Sequence, residues 1–134
     1  MCKGINMKKL IATVLGLLAV ASANAEYVPD YSAIDSREKA LELVQKGELV
    51  ETLLFPAELG GQDVPQNKVF VPVGVPEIQT QITGTIVRFA QDGLIDNMQV
   101  DPEYKGESFV PSKIKISTSH SGKDGKFNPV IEIW

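Results

Sequence analysis

The residues that could do chemistry in this chain are few. His120 is the single histidine, and it sits in the run Ser119-His120-Ser121-Gly122-Lys123-Asp124-Gly125. A serine nucleophile, a histidine base and an orienting aspartate are all present there, with Ser119 or Ser121 as the nucleophile and Asp124 as the third member. Immediate sequence neighbours rarely reach triad geometry, which draws its members from separate elements. A solvated histidine in a polar turn is the plainer account. One histidine and one cysteine also leave too few soft ligands for a zinc site, so no metal and no cofactor is expected.

Carboxylates are the other candidates. Asp92, Asp96, Asp101, Glu103 and Glu107 lie close together in sequence, but their spacing matches no calcium loop. A glycosidase would need two carboxylates facing each other across a cleft. No pair is singled out, and a solvated acidic surface accounts for them. No catalytic residue is therefore assigned. Trp134, at the end of the chain, suits capping a core better than serving as a sugar platform.

Binding is a better prospect than catalysis. The segment 56–67, Pro-Ala-Glu-Leu-Gly-Gly-Gln-Asp-Val-Pro-Gln-Asn, is the longest loop-like stretch in the sequence, and loops of that length are often functional. Glu58, Gln62 and Asp63 are expected to be its exposed polar contacts, with Leu59 and Val64 anchoring it from below. No lysine follows Gly60-Gly61 in the manner of a phosphate-binding loop.

The elements that must position this loop can be read from periodicity. Residues 78–101 look like a long hairpin. A first arm at 81–89 is rich in β-branched and aromatic residues, Asp92-Gly93 supplies the turn, and residues 94–100 return. The favoured register places Gly93 in a bulge, Arg88 opposite Asp96 and Ile86 opposite Met98, which keeps the Asp96 carboxylate off the apolar face. The pattern Gly84-Thr85-Ile86-Val87-Arg88-Phe89, Asp92-Gly93, Val100 resembles the central hairpin in the C-terminal domain of TonB-type energy transducers. That likeness covers a small part of the chain. Pro111 and alternating strand patterns follow where that family has an amphipathic helix, so no residue role is carried over.

Ahead of the hairpin, Asp35-Ser36-Arg37-Glu38 has the form of a capping box, with Asp35 as the cap. A helix over 35–46 follows, with Ala40, Leu41 and Val44 on one face and Gly47 as its stop. Strands are expected at 49–55 and 68–75, a polar connection at 101–106, an alternating strand at 109–118 and a last strand at 127–134 with Ile131 and Ile133 inward. The expected fold is α+β: a mainly antiparallel sheet of about six strands with one N-terminal helix packed on it. A β-sandwich with a peripheral helix is the alternative.

The N-terminus supplies the most specific motif. Met7-Lys8-Lys9 is a basic start, residues 10–20 are almost wholly apolar, and Ala23-Asn24-Ala25 offers the small residues a signal peptidase reads. The apolar run is about half the roughly twenty residues a membrane span requires. Residues 1–25 are expected to be a cleaved signal peptide, with 26–134 a single globular domain and Met7 a sufficient start. The one cysteine, Cys2, would leave with the leader, so the exported chain would have neither disulfide nor thiolate.

Charge narrows the partner. Taking Lys3, Lys8 and Lys9 from the 13 basic residues leaves 10 against 17 acidic ones, a net charge of −7 after cleavage. Such a surface is unsuited to nucleic acid or anionic lipid, both of which call for clustered lysine and arginine. The expectation is an exported, periplasmic or secreted, non-catalytic binding protein that uses the 56–67 loop or a free strand edge to hold another protein, one of basic charge. A carboxylate-dependent hydrolase, or a calcium-binding module acting on envelope polymers, is the alternative.

Overall fold

The computed structural model describes residues 29–134. The leader expected at 1–25 lies outside those residues. Helix α1, Arg37–Gln45, leads into strands β1, Leu49–Leu53, and β2, Lys68–Pro72. Between the two strands the loop carries two 3₁₀ turns, Ala57–Leu59 and Pro65–Asn67. A long helix α2, Val75–Gln91, is followed by β3, Asn97–Tyr104, β4, Pro111–Ser119, and β5, Val130–Glu132. Strands β1 and β2 form an antiparallel pair, and β3-β4-β5 form a second antiparallel sheet in that order. The α+β class stands. The described residues contain five strands rather than six, split between two sheets, two helices rather than one, and no sandwich closure.

The largest correction is the hairpin. Residues 75–91 are a helix, and Asp92-Gly93 ends it instead of turning one strand into another. Gly93 takes φ 73°, its amide donates to Ala90 O, and the Leu94 amide donates to Phe89 O at 2.9 Å. That paired closure is a Schellman cap, which needs a left-handed residue where the chain leaves the helix. A glycine after an aspartate serves that geometry as well as it serves a hairpin. The opposition of Arg88 to Asp96 does not occur, and the resemblance to a TonB-type hairpin falls with it.

The helix forms because its apolar residues repeat with the helical period. Val75, Ile82, Ile86 and Phe89 line one stripe, with Thr83 beside them; Val75, Thr83 and Ile86 are buried and Ile82 and Phe89 pack against the same core. Pro76 occupies the first turn, where no amide hydrogen is needed, and Glu77 and Arg88 lie at the ends that suit their charges. Burial of this stripe outweighs the β-branched composition, whose intrinsic cost in a helix is under about 1 kcal/mol per residue. Truncating the almost fully buried Ile86 to Ala would cost about 2–5 kcal/mol.

Two cores share β2. Val69 and Val71 face a main core with Val75 and Ile86 of α2 and with Ile114, Ile116 and Ile131 of the larger sheet. Phe70, on the other face, joins Ala40 of α1, Leu49 and Val110. A strand buried on both faces has no room for alternating polar residues. The second core is closed by residues 29–34 and by Trp134: Tyr31 packs edge-on to Trp134 with ring centres 5.9 Å apart, and Trp134 Nε1 donates to Val110 O at 3.0 Å. The Phe109 amide donates to Ile34 O at 2.7 Å, which fastens residues 29–34.

Helix α1 begins one residue later than its motif implied. Ser36 is the cap and accepts from the Lys39 amide at 3.3 Å, while Asp35 pairs with the Lys39 ammonium. Gly47 ends the helix as expected, in a second Schellman cap. The polar stretch at 101–106 runs mostly inside β3 instead of connecting two strands, since Asp101 opposes Lys115 and Glu103 opposes Lys113 in the ladder. Strand β4 alternates as read. Ile114, Ile116 and Thr118 are buried and Lys115 and Ser117 exposed.

Candidate functional site: the loop before β2 and its cleft

The serine and histidine turn is assembled differently from a triad. Ser121 Oγ donates to Asp96 Oδ2 at 2.6 Å, and the Ser121 amide donates to Asp96 Oδ1 at 3.0 Å. His120 Nδ1 accepts from the Gly122 amide at 2.9 Å, and its Nε2 lies 3.9 Å from Asp96. The Asp96 carboxylate therefore sits between serine and histidine and takes the hydroxyl bond that the imidazole would take in a triad. Asp124, the member named from sequence, has no partner among the described residues. Ser121 holds the Asp96 carboxyl below its usual range, the hydroxyl bond being the main cause. Lys123 adds a bond from its ammonium to Gly93 O at 3.1 Å. Together these contacts tie the β4–β5 turn to the end of α2.

The remaining carboxylates are dispersed. Asp92 is at the α2 C-cap, and Asp101 and Glu103 lie along β3. Glu103 is bonded to the Lys115 ammonium, which lowers the pKa of its carboxyl and raises that of the amine. Among the described residues no three histidine, cysteine or acidic groups come together to hold a metal ion.

The 56–67 loop is a built element. Asn67 holds it from inside: Oδ1 accepts from the Phe55 amide at 2.8 Å, and Nδ2 donates to Phe55 O and to Gln62 O, each at 3.0 Å. Gly61 is packed where any side chain is excluded, since a Cβ there would sit 1.8 Å from Phe55 O. Leu59 anchors the loop in the main core as expected. Val64 does not, being 36% exposed. Val64 caps the turn Pro65–Asn67 in an extended conformation.

Of the three predicted contacts, Glu58, Gln62 and Asp63 are all exposed. They are not equivalent. Asp63 is paired with Lys68 at 2.6 Å, a contact that raises the pKa of the lysine ammonium. Among the described residues Glu58 has no ion-pair or side-chain hydrogen-bond partner, and Gln62 uses only its backbone carbonyl toward Asn67. Of the three, Glu58 and Gln62 are therefore the side chains without a described partner.

Glu58 stands at the edge of an open cleft of about 200 Å³ between β1, the loop and α2. Its apolar lining comes from Ile82, Ile86, Met98 and Ile116. Gln79 fixes the width: Thr52 Oγ1 donates to Gln79 Oε1 at 2.8 Å, and Gln79 Nε2 donates to Leu53 O at 3.1 Å. Sequence reasoning missed Asn67, Gln79 and the cleft. An asparagine closing a glycine-containing loop was a usable signal, because its side chain readily bonds nearby backbone. Gln79 became visible only once residues 75–91 were helical.

Comparison of the chain with protein-family models, curated proteins and solved structures gives no match. Among the described residues no helix is long and apolar enough to cross a membrane.

Proposed function

We propose that this chain is a small exported, non-catalytic protein-binding module of a bacterial-type cell envelope, and that the 56–67 loop is its recognition surface. The observation that carries the reading is the loop's internal bonding. Asn67 and Gly61 fix its backbone, while Glu58 and Gln62 are exposed and their side chains have no partner among the described residues. A loop that is already ordered loses little entropy when it binds, and polar groups with no internal partner gain most from an external one. Export to the periplasm or medium is supported by the basic start, apolar run and Ala23-Asn24-Ala25 of the sequence. The acidic balance of the chain after cleavage favours a basic partner.

Cross-linking in envelope and medium fractions, followed by mass spectrometry, tests both parts. The expected result is one abundant basic partner, cross-linked through residues of the loop, on a chain whose first residue is Glu26. Replacing Glu58 and Gln62 with Ala should abolish that cross-link. A cross-link unaffected by the double substitution, or a chain retaining residues 10–20, would defeat the corresponding half of the proposal.

A further inference from the structure

Thr83 is the unexplained polar group in the cleft. It lies in the middle of α2, is only 8% exposed, and lines the same cleft as Glu58. Two nearby threonines of the helix bond back to the preceding turn, Thr80 to Pro76 O at 3.0 Å and Thr85 to Gln81 O at 3.3 Å. Thr83 has no hydrogen-bond partner among the described residues. Among the described residues no fully buried side-chain oxygen lacks a partner, so the Thr83 hydroxyl keeps part of that residue's small remaining surface. Thr83 is one of the residues that line the cleft. A hydroxyl that water still reaches and that bonds no other described residue stays available to a donor entering the cleft, and a methyl in its place would suit the apolar lining.

The chemistry of the walls says what would satisfy it. Glu58 is the one charged residue among the described residues lining the cleft, and it pairs with no cation among the described residues. Ile82, Ile86 and Met98 give the same cleft an apolar lining. The volume of about 200 Å³ is below the roughly 300–1,000 Å³ usual for small-molecule sites and suits one long side chain. Long basic side chains are apolar along the stem and charged at the tip. We infer that the cleft is an anchor pocket for a single lysine or arginine side chain of the partner protein, its stem over Ile82 and Met98, with Glu58 and the Thr83 hydroxyl accepting from its cationic head. This rests on the loop being the recognition surface and names the chemistry the surface reads.

The test is a titration of the purified protein followed by amide NMR, using short blocked alanine peptides that carry lysine, norleucine or glutamate at the centre. The lysine peptide should give saturating shifts at Glu58, Ile82, Thr83 and Met98. Norleucine, which keeps the stem and loses the charge, should bind about fivefold more weakly, the size of one exposed ion pair. Thr83→Val should weaken the lysine peptide while leaving the melting temperature unchanged or higher, and Glu58→Gln should erase the preference over norleucine. Equal binding of the lysine and norleucine peptides, shifts confined to another face, or no saturation would overturn the inference. A native partner whose affinity falls with Glu58→Ala and not with Thr83→Val would also overturn it, while leaving the loop as the binding surface.

Discussion

Thr52 and Gln79 are joined across 27 residues by a hydrogen bond of 2.8 Å, from the threonine hydroxyl to the glutamine side-chain carbonyl. The amide end of Gln79 is spent on Leu53 O. One side chain of α2 thereby serves β1 twice, at the point where the strand passes into the loop. Gln79→Ala should cost about 1–3 kcal/mol, one or two net hydrogen bonds plus any group left unpaired. Thr52→Val removes one of the two bonds and should cost less. Urea denaturation of both single variants and the double variant would give a coupling of about 0.5–1.5 kcal/mol if the pair forms as described. Simple additivity would mean that the bond does not form in solution.

Gly84 offers a direct measurement of the helix. It lies in the interior of α2, is exposed, and would have nothing within 4 Å of an added Cβ. Gly84→Ala should therefore stabilise the protein by about 0.5–1 kcal/mol, since alanine is the better helix former and loses less backbone freedom on folding. Gly93→Ala should destabilise it, because φ there is 73°. If residues 81–89 were a strand instead, alanine at 84 would bring no such gain. Thermal denaturation of the two variants separates the cases.

The same segment explains what the sequence could and could not disclose. Helix α1 and strand β4 were legible because pattern and propensity agreed: Ala40 and Val44 at helical spacing, and Ile114 and Ile116 alternating with lysines. At α2 they conflicted. Residues 82–89 contain five β-branched side chains, and Asp92-Gly93 is a favoured sequence both for a hairpin turn and before a Schellman cap. The run from Val75 through Ile82 and Ile86 to Phe89 carries the helical period, with Pro76 as a start signal, and burial of that stripe decides against the β-branched composition. The loop's position was legible and its anchors only half so. Leu59 is held by the core, whereas Val64 is exposed and caps a 3₁₀ turn that no local pattern announces. The bond of Ser121 to Asp96 spans 25 residues and depends on how β4 returns past the end of α2.

Acid should weaken the fold in a defined direction. Asp35, Asp96 and Glu103 all have carboxyls held below their usual range, first by hydrogen bonds to Lys39, Ser121 and Lys115 respectively. A carboxylate depressed in the folded state stabilises it above the unfolded value, near 4, and loses that contribution as pH falls through the folded value. Stability should be flat at neutral pH and decline below about pH 4. At the alkaline end, Lys68 and Lys115 are raised by Asp63 and Glu103, so their contribution holds below the ordinary lysine value and is lost as pH rises through the folded one. Denaturation midpoints across pH would show both limbs. Ser121→Ala should shallow the acid limb and leave the alkaline one unchanged, and an acid limb identical to that of the parent would remove Asp96 from the account.

The loop itself gives the sharpest contrast between residues that hold and residues that are held out. Asn67→Ala removes three side-chain hydrogen bonds at once, to Phe55 twice and to Gln62, and should destabilise by about 2–3 kcal/mol at roughly 1 kcal/mol per bond. Leu59→Ala should also be costly, through lost packing against the main core. Val64→Ala should be nearly silent because the side chain is already exposed. Replacing Glu58 and Asp63 together should change stability by under about 0.5–1 kcal/mol, since both are exposed and the one pair involved, Asp63 with Lys68, is a surface ion pair. Its effect belongs to binding: partner affinity should fall, and fall further at low salt, where long-range charge attraction is least screened. Melting curves and partner binding measured on the same four variants would place each residue. An acidic pair silent in binding, alongside the expected losses at Asn67 and Leu59, would reduce the loop to a structural closure of β1 and β2.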